Sequence, residues 1–193
     1  VMLGFTAYSY FEGSALEAFD WVDGGMIWFL IIDFLSRFFM QETPAQNIKQ
    51  YKLHNIPTGF LLHTFLLRMG LQPYNLFSAF FFVPFGLRAI PQFYGMLGFF
   101  GFIIGWWLMY VLNSYWYLLW RTLINRNFHY LAIPLLIYAA LAYFGIFYDE
   151  ENQWLFTGTI RLMRGFCQWN PLCWLIFCLV VVPLYLVNFR LQK

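Results

Sequence analysis

Three stretches of the chain, 89–120, 127–148 and 165–189, contain no Asp, Glu, Lys or Arg. Each reaches the roughly 20 helical residues needed to cross about 30 Å of hydrocarbon at 1.5 Å rise per residue. An ordinary soluble domain is about a quarter charged, whereas this chain is 10% charged, 62% hydrophobic and 24% aromatic. Too few charges are present to solvate so much apolar surface. The chain reads as an all-α, polytopic transmembrane helical bundle forming a single domain over 1–193, with the lipid bilayer as its first partner.

A fourth crossing is expected at about 24–40, where GGMIWFLIIDFLSRFFM holds Asp33 and Arg37 among large apolar residues. Pro73 and Pro84 interrupt the long apolar region that follows, and a proline inside a helix removes a backbone donor and kinks it. That region is therefore read as an interfacial or re-entrant helix at about 58–71 and a short kinked span at about 74–90. With 93–120, 128–148 and 171–189, five spans result.

Lys and Arg near span ends are retained on the cytoplasmic side. Alternating five crossings puts Arg37, Lys49, Lys52, Arg121, Arg126, Arg190 and Lys193 inside and Arg88, Arg161 and Arg164 outside, with Arg68 unassigned. The acidic residues Glu12, Glu17, Asp20, Asp23, Asp149, Glu150 and Glu151 then all fall outside. The expected address is a cell membrane. Positions 1–23 lack a basic leader and start on Val1 with an apolar patch, which reads as a chain entered partway.

Few residues carry recognisable chemistry. The net charge of +2 comes with no basic tract, so nucleic-acid binding has no electrostatic footprint. Cys167, Cys173 and Cys178 lack C-x-x-C spacing, and no nucleophile motif or P-loop occurs. No catalytic, metal or cofactor residues are assigned. His63 and His129 could both approach the inner leaflet, which leaves axial ligation of a haem as a minor alternative.

Asp33 and Arg37 stand i, i+4 with the acid first, the order that favours pairing on a helix. An intramembrane ion pair reads either as a functional group or as an anchor whose long arginine snorkels to the interface. Gly95, Gly98, Gly101 and Gly105 fall, with Asn113, within about 120° of one another on a helix wheel. Such a smooth face lets another helix approach closely, as ordinary packing within one bundle or as a homodimer contact. Several tryptophans, including Trp106, Trp120 and Trp174, suit interfacial anchoring. The segment 153–166 mixes aromatic and basic residues like a helix lying on the outer surface, where Arg161 and Arg164 either anchor it or grip a substrate.

The order DFLSRFFMQ (Asp33 to Gln41), YKLHNIP (Tyr51 to Pro57), PYNLFSAFFFVPF (Pro73 to Phe85) and PLYLVNF (Pro183 to Phe189) resembles a family of bacterial polytopic membrane proteins of unknown function that look like ABC-2-type transporter permeases. The resemblance implies that Asp33 and Arg37 match an acidic-x-x-x-Arg span end, that members are longer than this chain, and that the membrane is the bacterial inner one. For a permease, the inward stretch 41–58, with Lys49, Tyr51 and Lys52, would face a separate cytoplasmic ATPase. A noncatalytic structural or assembly subunit, and a membrane-embedded enzyme or haem-binding redox subunit, are the other classes the sequence leaves open.

The expected orientation is checked by single-cysteine labelling in intact cells: positions 149–152 should react with an impermeant reagent from outside, and 49–52 only after permeabilisation. The reverse pattern would invert the bundle.

Overall fold

The computed structural model describes residues 15–40, 56–146 and 154–193, and the regular elements among them are all helical. They are α1 (Ala15–Gly24), α2 (Met26–Met40), α3 (Thr58–Gly70), α4 (Pro73–Phe77), α5 (Ala79–Ala89), α6 (Pro91–Arg126), a 3₁₀ turn (Phe128–Leu131), α7 (Ala132–Ile146), α8 (Trp154–Cys167) and α9 (Pro171–Gln192). Two of them, α6 and α9, are long and apolar enough to cross a membrane. The other expected crossings fall on shorter helices because the chain is punctuated. Gly25 separates α1 from α2, and Leu71 and Gln72 separate α3 from α4, where Pro73 restarts the helix.

The central element is α6, against which α2, α3, α5, α8 and α9 all pack. Its first turn is set apart by Gly95, whose φ of 66° and ψ of −174° lie outside helical space. Only glycine takes up that conformation without steric cost. After the kink the helix runs uninterrupted to Arg126, about 46 Å at 1.5 Å per residue. Around one end of it Phe19, Phe82, Phe85, Phe102, Trp106, Tyr110 and Phe166 form one buried aromatic core drawn from α1, α5, α6 and α8. Further along, Leu66 and Met69 of α3 join Val111, Tyr115 and Leu118, while Phe34 of α2 meets Tyr117 and Trp120. By contrast, α9 buries only Phe177 and Asn188 of its own residues.

The glycine face has a specific neighbour. A Cβ built on Gly101 would stand 2.3 Å from the Phe166 carbonyl oxygen, and one on Gly105 would stand 2.5 Å from the Phe166 ring. At Gly98 the nearest atom across the seam is the Cys167 carbonyl oxygen at 3.3 Å. The C-terminal end of α8 thus lies directly on α6, an approach that any side chain would block. This corrects two details of the sequence reading. Gly95 belongs to the kink, with open space where its side chain would be, and the helix expected at 153–166 is packed into the bundle as α8, Trp154–Cys167, through Met163, Phe166 and Cys167.

A tight turn holds α8 in that place. Asn170 N–H donates to Gly165 O at 2.9 Å and Trp169 N–H to Phe166 O at 3.1 Å, the paired bonds of a Schellman cap. The left-handed position falls on Trp169, with φ 54°, where glycine would be cheaper. Its indole offsets the cost by donating to Leu97 O at 3.0 Å and stacking on Trp174 at 5.4 Å. Asn170 then caps α9 by accepting from Leu172 N–H at 3.0 Å, and Pro171 occupies the first turn.

Leucine at Gly101 or Gly105 should lower stability by about 1–3 kcal/mol or prevent assembly altogether, since overpacking forces backbone apart. Ala139, which is exposed, should accept leucine within about 0.5 kcal/mol. Thermal unfolding in detergent, followed by size-exclusion chromatography, reads both; equal tolerance would mean that α8 does not rest on this seam.

Candidate functional site

Arg37 has no exposed surface at all. Its charge is met first on its own helix: Nε donates to Asp33 Oδ2 at 2.7 Å and Nη2 to Asp33 Oδ1 at 3.1 Å. Because residues four apart stand one above the other on a helix, this contact is local and follows from sequence spacing. Two further elements complete it. Nη2 also donates to Asn75 Oδ1 of α4 at 2.5 Å, and Asn113 of α6 donates from Nδ2 to Asp33 Oδ2 at 2.7 Å and to Leu30 O at 2.9 Å.

Asn75 is the hinge of this arrangement. A helix that ends inside a protein leaves its last carbonyls without intrahelical donors, and α3 ends at Gly70 in such a place. Nδ2 of Asn75 donates to Met69 O at 2.8 Å and to Gly70 O at 3.1 Å, while the Trp107 indole reaches Gly70 O at 3.1 Å. On its other side Asn75 Oδ1 accepts from Arg37 and from Ser114 Oγ at 2.9 Å. Ser114 has one proton to donate, and Tyr110 O, also at 2.9 Å, competes for it. One fully buried amide therefore joins the broken end of α3 to the ion pair on α2 and to the central helix.

Asp33, Arg37, Asn75, Asn113 and Ser114 are all buried. Of these, Asp33, Arg37 and Asn113 were singled out from sequence, although Asn113 faces α2 rather than the α8 contact of the glycines. Asn75 and Ser114 were not; the only cue was an amide next to Pro73 and a hydroxyl next to Asn113 in otherwise apolar helices. Lys49, Tyr51 and Lys52 lie outside the described residues.

A second charged group sits at the contact of α1 with α8. Arg164 Nη2 donates to both carboxylate oxygens of Asp20, at 2.6 and 2.7 Å. The neighbouring Asp23 is buried. Arg161 is exposed. The histidines separate: His63 Nδ1 bonds the Tyr185 hydroxyl at 2.5 Å and stacks on Phe189 at 4.2 Å, whereas His129 stands exposed in the 3₁₀ turn. Among the described residues no group of three or more His, Cys, Asp or Glu could hold a metal ion. Burial pushes the Cys167 thiol up to about 12, which leaves it protonated and unreactive at neutral pH.

A model for a family of unknown function (DUF5687) matches residues 1–193. No curated protein and no solved structure matches the chain. The family match carries no activity with it.

Removing one partner of a buried ion pair leaves an uncompensated charge and costs about 3–5 kcal/mol. Arg37→Met and Asp33→Asn should each destabilise on that scale, and the double variant should recover at least ~1 kcal/mol of their sum as coupling. Thermal midpoints of the four proteins in one detergent measure the cycle; additive effects would show that the pair is not coupled.

Proposed function

We propose that this chain, which belongs to the DUF5687 family of unknown function, is a permease-like subunit of an ABC-type transporter, crossing the membrane five times and moving its substrate with a separate cytoplasmic ATPase. The observation that carries this reading is the buried network of Asp33, Arg37, Asn75, Asn113 and Ser114 at the break between α3 and α4. A pure scaffold has little use for it, because apolar residues of similar volume often replace a buried ion pair at no cost or with a gain. Ionisable groups at membrane depth and helices interrupted there recur together along transport pathways, where the break supplies backbone groups that can change partners.

On this reading α2, α5 and α7 cross together with α6 and α9, the shorter helices lengthened by their neighbours or by local thinning of the bilayer. The ATPase would engage the inward stretch 41–58, which joins α2, carrying the ion pair, to α3, carrying the break. Force applied there reaches both sides of the network. A noncatalytic assembly subunit is the alternative, favoured by the full satisfaction of Asn75, which gives α2, α4 and α6 a fixed register.

Pull-down from native membranes separates the two. Replacing Lys49, Tyr51 and Lys52 together by alanine should reduce co-purified ATPase about tenfold or more, equivalent to about 1.4 kcal/mol, without changing the amount of inserted chain. Asp33→Asn, compared with the native chain at equal amounts of folded, inserted protein because it costs stability, should keep the ATPase bound and abolish its stimulated turnover. No associated ATPase in native membranes would remove the permease reading in favour of the assembly subunit.

A further inference from the structure

Asp23, in the last turn of α1, has a relative exposure of 1%, and its Oδ2 has no hydrogen-bond partner. Across from it, Arg164 of α8 spends Nη2 on Asp20 and leaves a buried Nε with no partner. An unpaired carboxylate oxygen and an unpaired guanidinium nitrogen, both shut away from water, are each costly. A proton on the carboxyl removes the larger of these costs, that of a buried anion, and leaves Nε in reserve. We propose that Asp23 is a proton-binding site whose charge is read by Arg164: with the proton on, Arg164 engages Asp20 alone, and with the proton released to solvent, its free Nε turns to the new carboxylate.

The surroundings define the site. Charged or titratable neighbours among the described residues are Asp20 on α1, Arg164 and Cys167 on α8, and Tyr94 at the start of α6. The charged residue on α5, Arg88, and Arg161 on α8 are both exposed, and the ion pair on α2 is engaged with Asn75 and Asn113. Burial, reinforced by the charge of Asp20, raises the Asp23 carboxyl well above its usual range, against a smaller lowering by Arg164. The sign follows: a carboxyl raised in the folded state favours folding fully below its unfolded value near 3.9, and that contribution is lost as pH climbs through the raised value. Release of the proton also has somewhere to act. The helix that carries Arg164 ends two and three residues later at Phe166 and Cys167, the residues seated on Gly98, Gly101 and Gly105, so tightening α1 against α8 pulls on the seam along α6.

This site stands independently of the transport reading, and its test needs no substrate. Infrared spectra of the full chain in ester-free detergent should show a protonated-carboxyl stretch at neutral pH that disappears as the sample is made alkaline. Asp23→Asn should lose that band and flatten the alkaline side of the stability profile. Asp20→Asn, which frees Arg164 and removes a like charge, should move the titration to lower pH; Arg164→Gln should move it to higher pH, each by about one unit or more. The near-isosteric asparagine variants guard against misfolding as an explanation, and circular dichroism checks it. A band absent from the native protein, or one retained in Asp23→Asn, overturns the proton site; a titration unmoved by Arg164→Gln overturns the role of Arg164.

Discussion

The arginine at position 37 has no contact with solvent, and that single fact constrains most of the architecture. A guanidinium stays charged at any accessible pH, so it must be neutralised and its donors filled where it stands. Asp33 supplies the charge from one turn away, but one carboxylate leaves donors over. The chain supplies a further acceptor by interrupting a helix. Between Gly70 and Pro73 the backbone turns, and Asn75 arrives with its oxygen toward Arg37 and its nitrogen on the carbonyls that the interruption exposed. The break and the ion pair are thus solutions to each other, and Asn113 and Ser114 fix how α6 is rotated against both.

The sequence discloses interactions in proportion to how local they are. Uncharged runs mark the helices, because helical periodicity and apolar length are properties of adjacent residues, and the Asp33 and Arg37 pair follows from one spacing rule. The Asn75 junction is not legible in that way. It depends on residues 38 and 39 positions apart in the chain, and an isolated asparagine near a proline has many commoner uses. The seam illustrates an intermediate case: the glycine spacing identifies a smooth face, but no local pattern names Phe166 as its occupant, and nothing distinguishes Gly95, needed for its φ of 66°, from three glycines needed for their lack of a side chain. Trp169 hides its turn completely, since a tryptophan at a left-handed position contradicts the residue preference that would reveal it.

Asp33 and Asp23 show how two aspartates on consecutive helices acquire opposite characters. Asp33 accepts from Arg37 through both oxygens and from Asn113 through one, so neither oxygen is left without a donor. Asp23 is equally enclosed but receives no donor at Oδ2, while Asp20 beside it takes the nearby arginine. Composition cannot separate them, because each lies within four positions of another charged residue in the chain. What separates them is where the arginine sits. Arg37 is on the same helix as its partner, whereas Arg164 reaches Asp20 from another helix and keeps its Nε unengaged beside Asp23.

The stiffness of the parts then determines which contacts can exchange. Within α6 the hydrogen bonds run from backbone to backbone along a helix, so its residues from Met96 onward move together. At the α3 break the carbonyls of Met69 and Gly70 are held largely by side chains, those of Asn75 and Trp107, and a side-chain amide can change partners by rotation without unwinding a turn. Ser114 sits between two acceptors and can serve one at a time, so a rotation of Asn75 has a ready compensation in Tyr110 O. The α4 helix, five residues long, offers little backbone resistance to that movement. If the bundle has two states, the shortest physical route between them rotates α4 about its junction with α3, exchanges the donors at Asn75, and leaves the ion pair on α2 and the glycine seam of α6 in place.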